Sequence, residues 1–174
     1  MKKNIVYIGS LLLVLGVILV ACGPEARLDM VGMFAGTSPK IDERFEESKV
    51  YNDQHGFTTL QAPVDDYRVY VCTDTHVTKT QTRWTYFIDT YRQDPLCPVA
   101  VHLGDIIDAQ NYFDEMYSAY QAVPLNPAKK DTLMAVAGNH DIYFKQWPEY
   151  IKYFKTCYYY FVVETPSGQK DLFV

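Results

Sequence analysis

The stretch YRVYVCTDTH, residues 67–76, decides the fold. Its first six residues form an apolar run rich in Val and Tyr, which predicts a strand over Tyr67–Cys72. Polar residues that can hold a cation, Asp74-Thr75-His76, follow at once. The same unit recurs twice downstream. Val99–Leu103 is an apolar run followed by GDIID at 104–108, and Thr132–Ala137 is followed by GNHD at 138–141. Between these runs lie helical stripes. Trp84, Phe87, Ile88 and Tyr91 are spaced i, i+3, i+4, i+7, and Phe113, Met116, Tyr117 and Tyr120 repeat the pattern. Pro148 stands near the start of a third helix that carries Tyr150, Ile151 and Phe154. The order β-α-β-α-β-α predicts an α/β fold with a parallel sheet covered on both faces. Cys157–Val163 reads as a further strand, Pro166-Ser167-Gly168 as a turn, and Asp171–Val174 as the start of a returning strand, together a β-hairpin.

Upstream the pattern changes. Lys2 and Lys3 precede an uncharged run from Ile5 to Ala21 that ends in Leu19-Val20-Ala21-Cys22. A small residue before Cys at the end of such a run resembles a lipobox, which is cut before the Cys and lipidated on its thiol. The expectation is a signal peptide over 1–21, lipid on Cys22, and a membrane-anchored lipoprotein on the outer side of the inner membrane, in the periplasm or at the cell surface. Residues 22–64 are expected to be a tether and pre-domain segment, with one short helix from Ile41 to Tyr51. The globular domain is expected over 65–174.

Composition supports a folded protein, with 48% hydrophobic and 21% charged residues. Removing residues 1–21 leaves 14 basic and 21 acidic residues, a formal charge of −7. That balance argues against a nucleic-acid-binding surface. Cys72, Cys97 and Cys157 remain, an odd number without CxxC spacing, so at least one has no internal disulfide partner. Cys72 reads as a small buried hydrophobe of its strand.

Open α/β sheets bind ligands at the carboxyl ends of their strands, so the three polar groups should converge. Asp74 and His76 lie two apart, and an extended backbone would point both to one side, where carboxylate and imidazole can share a cation. Asp105 follows a glycine that allows a tight turn, and its two oxygens can bridge two cations. Asn139 offers a neutral carbonyl oxygen. His140 lies beside it, with Asp141 available to orient the ring. Asp or Asn after a strand is ordinarily a turn or cap residue. Three such groups in order, two of them containing His, are not explained that way. A haloacid-type phosphatase would need DxDxT after its first strand, and His76 replaces the second Asp.

The set Asp74/His76, GDIID and GNHD resembles the first three motifs of calcineurin-like metallophosphoesterases, over about Tyr67 to Val174. The resemblance implies the N-terminal half of an α/β/β/α sandwich and a two-metal phosphoester hydrolase. It implies that Asp74 and His76 bind the first metal, that Asp105 bridges both, and that Asn139 binds the second. It places His140 at the phosphate and leaving group with Asp141 on the catalytic side, and Asp108 in a supporting position. Water made nucleophilic by the cations would attack phosphorus in line, with His140 as general acid. Mixed O and N ligands suit two divalent ions such as Mn, Fe or Zn, and a structural zinc would call for Cys ligands. The substrate would be a small phosphomonoester or phosphodiester.

The second metal then has only Asp105 and Asn139. The family supplies further His ligands from later in the chain. His102 lies within the second strand and reads as a core residue, and His55 lies in the pre-domain segment. The expectation is a C-terminally truncated domain, weak or inactive as it stands, with a lipid-anchored, non-catalytic metal- or phosphate-binding protein as the alternative.

Overall fold

The computed structural model describes residues 41–56, 58–108, 112–143 and 146–174. The signal peptide and Cys22 lie outside the described residues. Among the described residues no helix is long and apolar enough to cross a membrane.

The chain runs α1 (Ile41–His55), β1 (Thr58–Gln61), β2 (Val69–Cys72), α2 (Thr82–Gln93), β3 (Val99–His102), α3 (Phe113–Ala122), β4 (Leu133–Ala135), α4 (Asn139–Ile142), α5 (Trp147–Phe154), β5 (Phe161–Glu164) and β6 (Lys170–Phe173). Strands β2, β3 and β4 form one parallel sheet in that order, with Val69 opposite Val99 and Ala100 opposite Leu133. Strand β3 is central and its Val99 and Ala100 are both fully buried, one on each face, as a covered parallel strand requires.

The helices cover one face of this sheet. Trp84, Phe87, Ile88 and Tyr91 of α2 are all buried, together with Phe113 and Met116 of α3 and Trp147 and Tyr150 of α5, around Ala100 and Ala135. Trp84 is fully buried and its indole donates to the Met116 carbonyl at 3.0 Å, so the largest side chain also has its polar atom paired. The other face meets a second sheet. Val99 of β3 and Met134 of β4 pack with Ala62 and with Phe161 and Val163 of β5, while Val69 and Val101 border the cluster. The layers are therefore helix, sheet, sheet, consistent with a partial calcineurin-like sandwich.

The second sheet has the order β1-β5-β6, with β5 and β6 the expected antiparallel hairpin. Its turn closes through Gly168, at φ 88°, whose N–H donates to the Thr165 carbonyl. Strand β1 lies within residues 22–64, yet it pairs parallel with β5 from Thr58–Phe161 to Gln61–Glu164. Helix α1 extends to His55, four residues beyond the expected end. Its Ser48 is fully buried and accepts from the Cys157 N–H at 3.1 Å. Residues 41–61 thus take part in the pairing and packing of the domain that follows. The strand expected from Cys157 begins only at Phe161, which lies opposite Thr58 of β1. All three described cysteines are free. Cys97 is buried, while Cys72 is only half-buried.

Candidate metal centre

The loops that follow β2 and β3 run side by side. The Asp74 N–H donates to the Gly104 carbonyl at 3.1 Å, His76 to Asp105 at 3.1 Å and Val77 to Ile106 at 2.7 Å, and Asp108 returns to Val77 at 3.0 Å. The motif residues of both loops are carried to the same sheet edge by this ladder. The backbone there is not extended. Asp74, His76 and Asp105 have φ of 54°, 45° and 53°, in the left-handed region. Such a conformation costs a residue with a Cβ on the order of 1 kcal/mol, and it clusters at functional sites. The expectation that extended backbone aligns Asp74 with His76 is corrected here: each turns through left-handed geometry, held by hydrogen bonds to the neighbouring loop.

Beneath the loops lies a buried clamp. The Thr75 hydroxyl donates to the Ile106 carbonyl at 3.0 Å, so it must accept from His102 Nε2, also at 3.0 Å. His102 Nδ1 in turn accepts from the Gly104 N–H at 3.3 Å. His102 is therefore neutral, with its proton on Nε2. Burial lowers its pKa to about 4. It packs between Trp84 and Phe87, the core role the sequence suggested.

Ligand atoms of Asp74, His76 and Asp105 all lie within 4.8 Å of one another, and so do those of His76, Asp108 and His140. His76 Nε2 is 3.5 Å from Asp74 Oδ1. The Thr73 hydroxyl donates to Asp74 Oδ2 at 2.6 Å. This bond, followed by the proximity of His76, holds the Asp74 carboxyl below the usual carboxylate range. Among the described residues no Lys or Arg is paired with Asp74 or Asp108, whose ionic neighbours there are His76 and His140. His76 Nδ1 and Asp108 Oδ1 are buried without a hydrogen-bond partner. Converging carboxylates with imidazoles and no fixed cation fit a divalent metal.

Residues 67–173 match the family model of calcineurin-like phosphoesterases, well over half of the chain. The chain belongs to this family. Its members use divalent metal ions, and both ligand groups fall within the matched residues. A solved structure of a protein of unknown function from Aquifex aeolicus is 22% identical, with a TM-score of 0.34. The match covers 66% of this chain and 59% of that one, so the present chain spans less than two thirds of its length. No curated protein matches the chain.

In this phosphoesterase domain the third motif closes on the second. Gly138 precedes α4, and Asn139 opens that short helix at an exposed position. The His140 N–H donates to Asp105 Oδ1 at 2.9 Å, so the loop after β4 fixes the carboxylate of the loop after β3. His140 Nδ1 meets the Asp108 carbonyl oxygen, which can only accept, so this nitrogen carries hydrogen. The rings of His76 and His140 meet edge to face, 4.6 Å apart.

Asp141, expected on the catalytic side, is fully buried. Its Oδ1 accepts from the N–H groups of Ile106 and Ile107 at 2.9 and 3.2 Å, and its Oδ2 from Gly138 at 2.9 Å. A carboxylate so occupied holds two loops together and is sealed from substrate. Burial pushes its pKa up to about 7 against the pull of these three donors. The sequence reading missed this clamp and the one made by Thr75 and His102. A Thr between two ligands and a His two residues before GD were the available signals, but neither names a partner.

Proposed function

We propose that this domain hydrolyses phosphoesters with divalent metal ions held by Asp74, His76 and Asp105, with Asn139 contributing to a second ion. The observation that carries this reading is the convergence of the first three within 4.8 Å at the edge of the parallel sheet. Bound ions would supply Lewis acidity, neutralising phosphoryl charge and making water nucleophilic near neutral pH. The protein's own contribution is to hold the ligands in place. The ladder between the two loops fixes Asp74 and His76, and the His140 amide fixes Asp105. His140, with Nδ1 engaged by the Asp108 carbonyl, would present Nε2 to the leaving oxygen and hold a proton there. Asp141 acts through the loops it ties and touches no substrate.

The substrate class is a small phosphomonoester or phosphodiester, with Mn, Fe or Zn suiting the ligand set. The Leu-Val-Ala-Cys ending of the apolar run supports a lipid anchor on Cys22 and a domain outside the inner membrane, which mass spectrometry of the mature N-terminus would test. For activity, the full chain is assayed with a chromogenic phosphodiester and manganese beside Asp105→Asn. Weak turnover, limited by the two ligands Asp105 and Asn139 at the second ion, is expected in the wild type and none in the variant. Equal rates in the two proteins would overturn the proposal.

A further inference from the structure

Strand β4 lies at the edge of the parallel sheet, and its outer side is only partly closed. The Ala100 N–H donates to the Thr132 carbonyl at 3.1 Å, and the Val136 N–H donates to the His102 carbonyl at 3.0 Å. Main-chain groups alternate along a strand, so Thr132, Met134 and Val136 serve β3, and Leu133 and Ala135 point theirs away from it. At Ala135 tyrosines stand in for a neighbouring strand. The Tyr150 hydroxyl donates to the Ala135 carbonyl at 2.8 Å, and the Tyr159 hydroxyl accepts from the Ala135 N–H. Leu133 has no such cover. Among the described residues nothing bonds its N–H or its carbonyl.

A cavity of about 320 Å³ lies against this part of the strand. Residues 131–134 all line it. Their side chains alternate between the faces of the sheet, so a cavity that meets all of them runs along their main chain. Aromatic rings supply much of the remaining wall. Tyr51 and His55 of α1 are stacked at 4.0 Å, and Tyr153 and Phe154 of α5 and Tyr159 complete the set. Small-molecule sites span roughly 300–1,000 Å³, so the space suits a compact ligand. The third motif follows the other end of β4, so an occupant here is not the phosphoester at the metal centre.

The N–H and carbonyl of one strand residue present a donor beside an acceptor. Leaving such a pair unbonded is costly, and a matching ligand recovers that cost. The match is a planar ring with an acceptor beside a donor, as on the amino-bearing edge of adenine or cytosine. Aromatic side chains stack on such rings. A peptide strand fits less well, because it would exchange bonds beyond Leu133, where the Tyr150 and Tyr159 hydroxyls already hold Ala135.

We propose that this cavity binds an amino-bearing nucleobase edge-on to Leu133, whose N–H and carbonyl pair with the ring nitrogen and the exocyclic amine between aromatic walls. The site is separate from the metal centre and stands whether or not the domain hydrolyses phosphoesters.

The test titrates the full chain, ¹⁵N-labelled and solubilised in detergent, with adenosine, and calorimetry gives the affinity. A saturable shift of the Leu133 amide, assigned through Leu133→Met, is expected. Purine riboside lacks the exocyclic amine and should bind about 2–10-fold more weakly. Leu133→Pro removes an N–H that points away from β3, a change that edge strands tolerate, and should weaken adenosine binding to a similar degree. If melting curves show that this variant is unfolded, the purine riboside comparison decides, since it needs no variant. Tyr51→Ala should also weaken binding, through lost stacking. A Leu133 amide unmoved by millimolar adenosine would overturn the proposal. Equal affinity for adenosine and purine riboside would overturn it as well, since the base edge would then not be read. A short extended peptide that shifts Leu133 where adenosine does not would overturn it in favour of strand addition.

Discussion

A Cβ built on Gly138 would stand 2.1 Å from Oδ1 of Asp105 and 2.3 Å from the Asp105 amide nitrogen. The glycine of the third motif is thus the space into which the carboxylate of the second motif fits. Gly104 makes the reciprocal approach, since a Cβ there would meet the Gly138 nitrogen at 2.6 Å. Both loops come together as bare backbone, and the ligand geometry depends on that contact.

Gly138→Ala should therefore be severe, because the obstacles are a backbone nitrogen and a fixed carboxylate rather than a movable side chain. A loss of about 3 kcal/mol in urea unfolding is expected. Manganese affinity should fall as well, since Asp105 must move. A variant as stable as wild type would show that the loops do not approach this closely.

Asp141→Ala leaves the N–H groups of Ile106, Ile107 and Gly138 buried without their acceptor. Each unsatisfied donor costs about 1–3 kcal/mol, so the loss should exceed that of an ordinary surface change several-fold. Asp141→Asn keeps one acceptor oxygen but sets an NH₂ group against one of the donors, and should fall between Ala and wild type. Chemical denaturation of the three proteins checks the order.

His102 sets a pH dependence. Its folded pKa of about 4 lies below the ordinary histidine value of 6.5. Between these values the unfolded chain binds the proton more readily than the folded chain. The stability this residue contributes is thus fully present above about pH 6.5 and is lost as the pH falls toward 4, by up to about 3 kcal/mol. In His102→Gln this limb of the stability curve should flatten. Parallel acid limbs in the two proteins would show that His102 is not held neutral.

A divalent ion that binds only the folded chain stabilises it by mass action, by about 2.7 kcal/mol at a hundredfold excess over Kd. Manganese should raise the melting temperature of the full chain, and chelator should reverse the rise. Asp105→Asn should show little response, because its carboxylate serves the ligand group and is already tied to the His140 amide.

The three parallel strands and the α2 stripe were legible in the sequence because both are set by apolar periodicity. Val69–Cys72, Val99–His102 and Leu133–Ala135 fall inside the expected runs, and Trp84, Phe87, Ile88 and Tyr91 are all buried. Strand β1 was not legible, since TTLQ has no alternation of its own and becomes a strand only by pairing with β5, about 100 residues away. At the site, the strand-end position of the motifs could be read from their spacing. Their backbone could not: Asp74 and His76 look extended until the hydrogen bonds from the second loop are present. The burial of Asp141 was hidden for the same reason, because its partners are main-chain amides, which no sequence motif displays.

The left-handed backbone at Asp74 separates its structural cost from its chemical use. At φ 54° a residue with a Cβ is disfavoured and glycine is not. The Asp74 side chain is largely exposed, so removing it costs little packing. Asp74→Gly should therefore be more stable than Asp74→Ala by about 1 kcal/mol in the metal-free state, a difference of about 3–5 °C in melting temperature. Both variants should lose the rise produced by manganese, since both lack the carboxylate. The measurement is a set of melts of wild type, Asp74→Gly and Asp74→Ala, each with manganese and with chelator. Glycine and alanine variants of equal stability would show that Asp74 does not adopt this conformation. A manganese response preserved in both would show that its carboxylate is no ligand. The two outcomes are independent, so one experiment tests both the geometry of the loop and the purpose assigned to it.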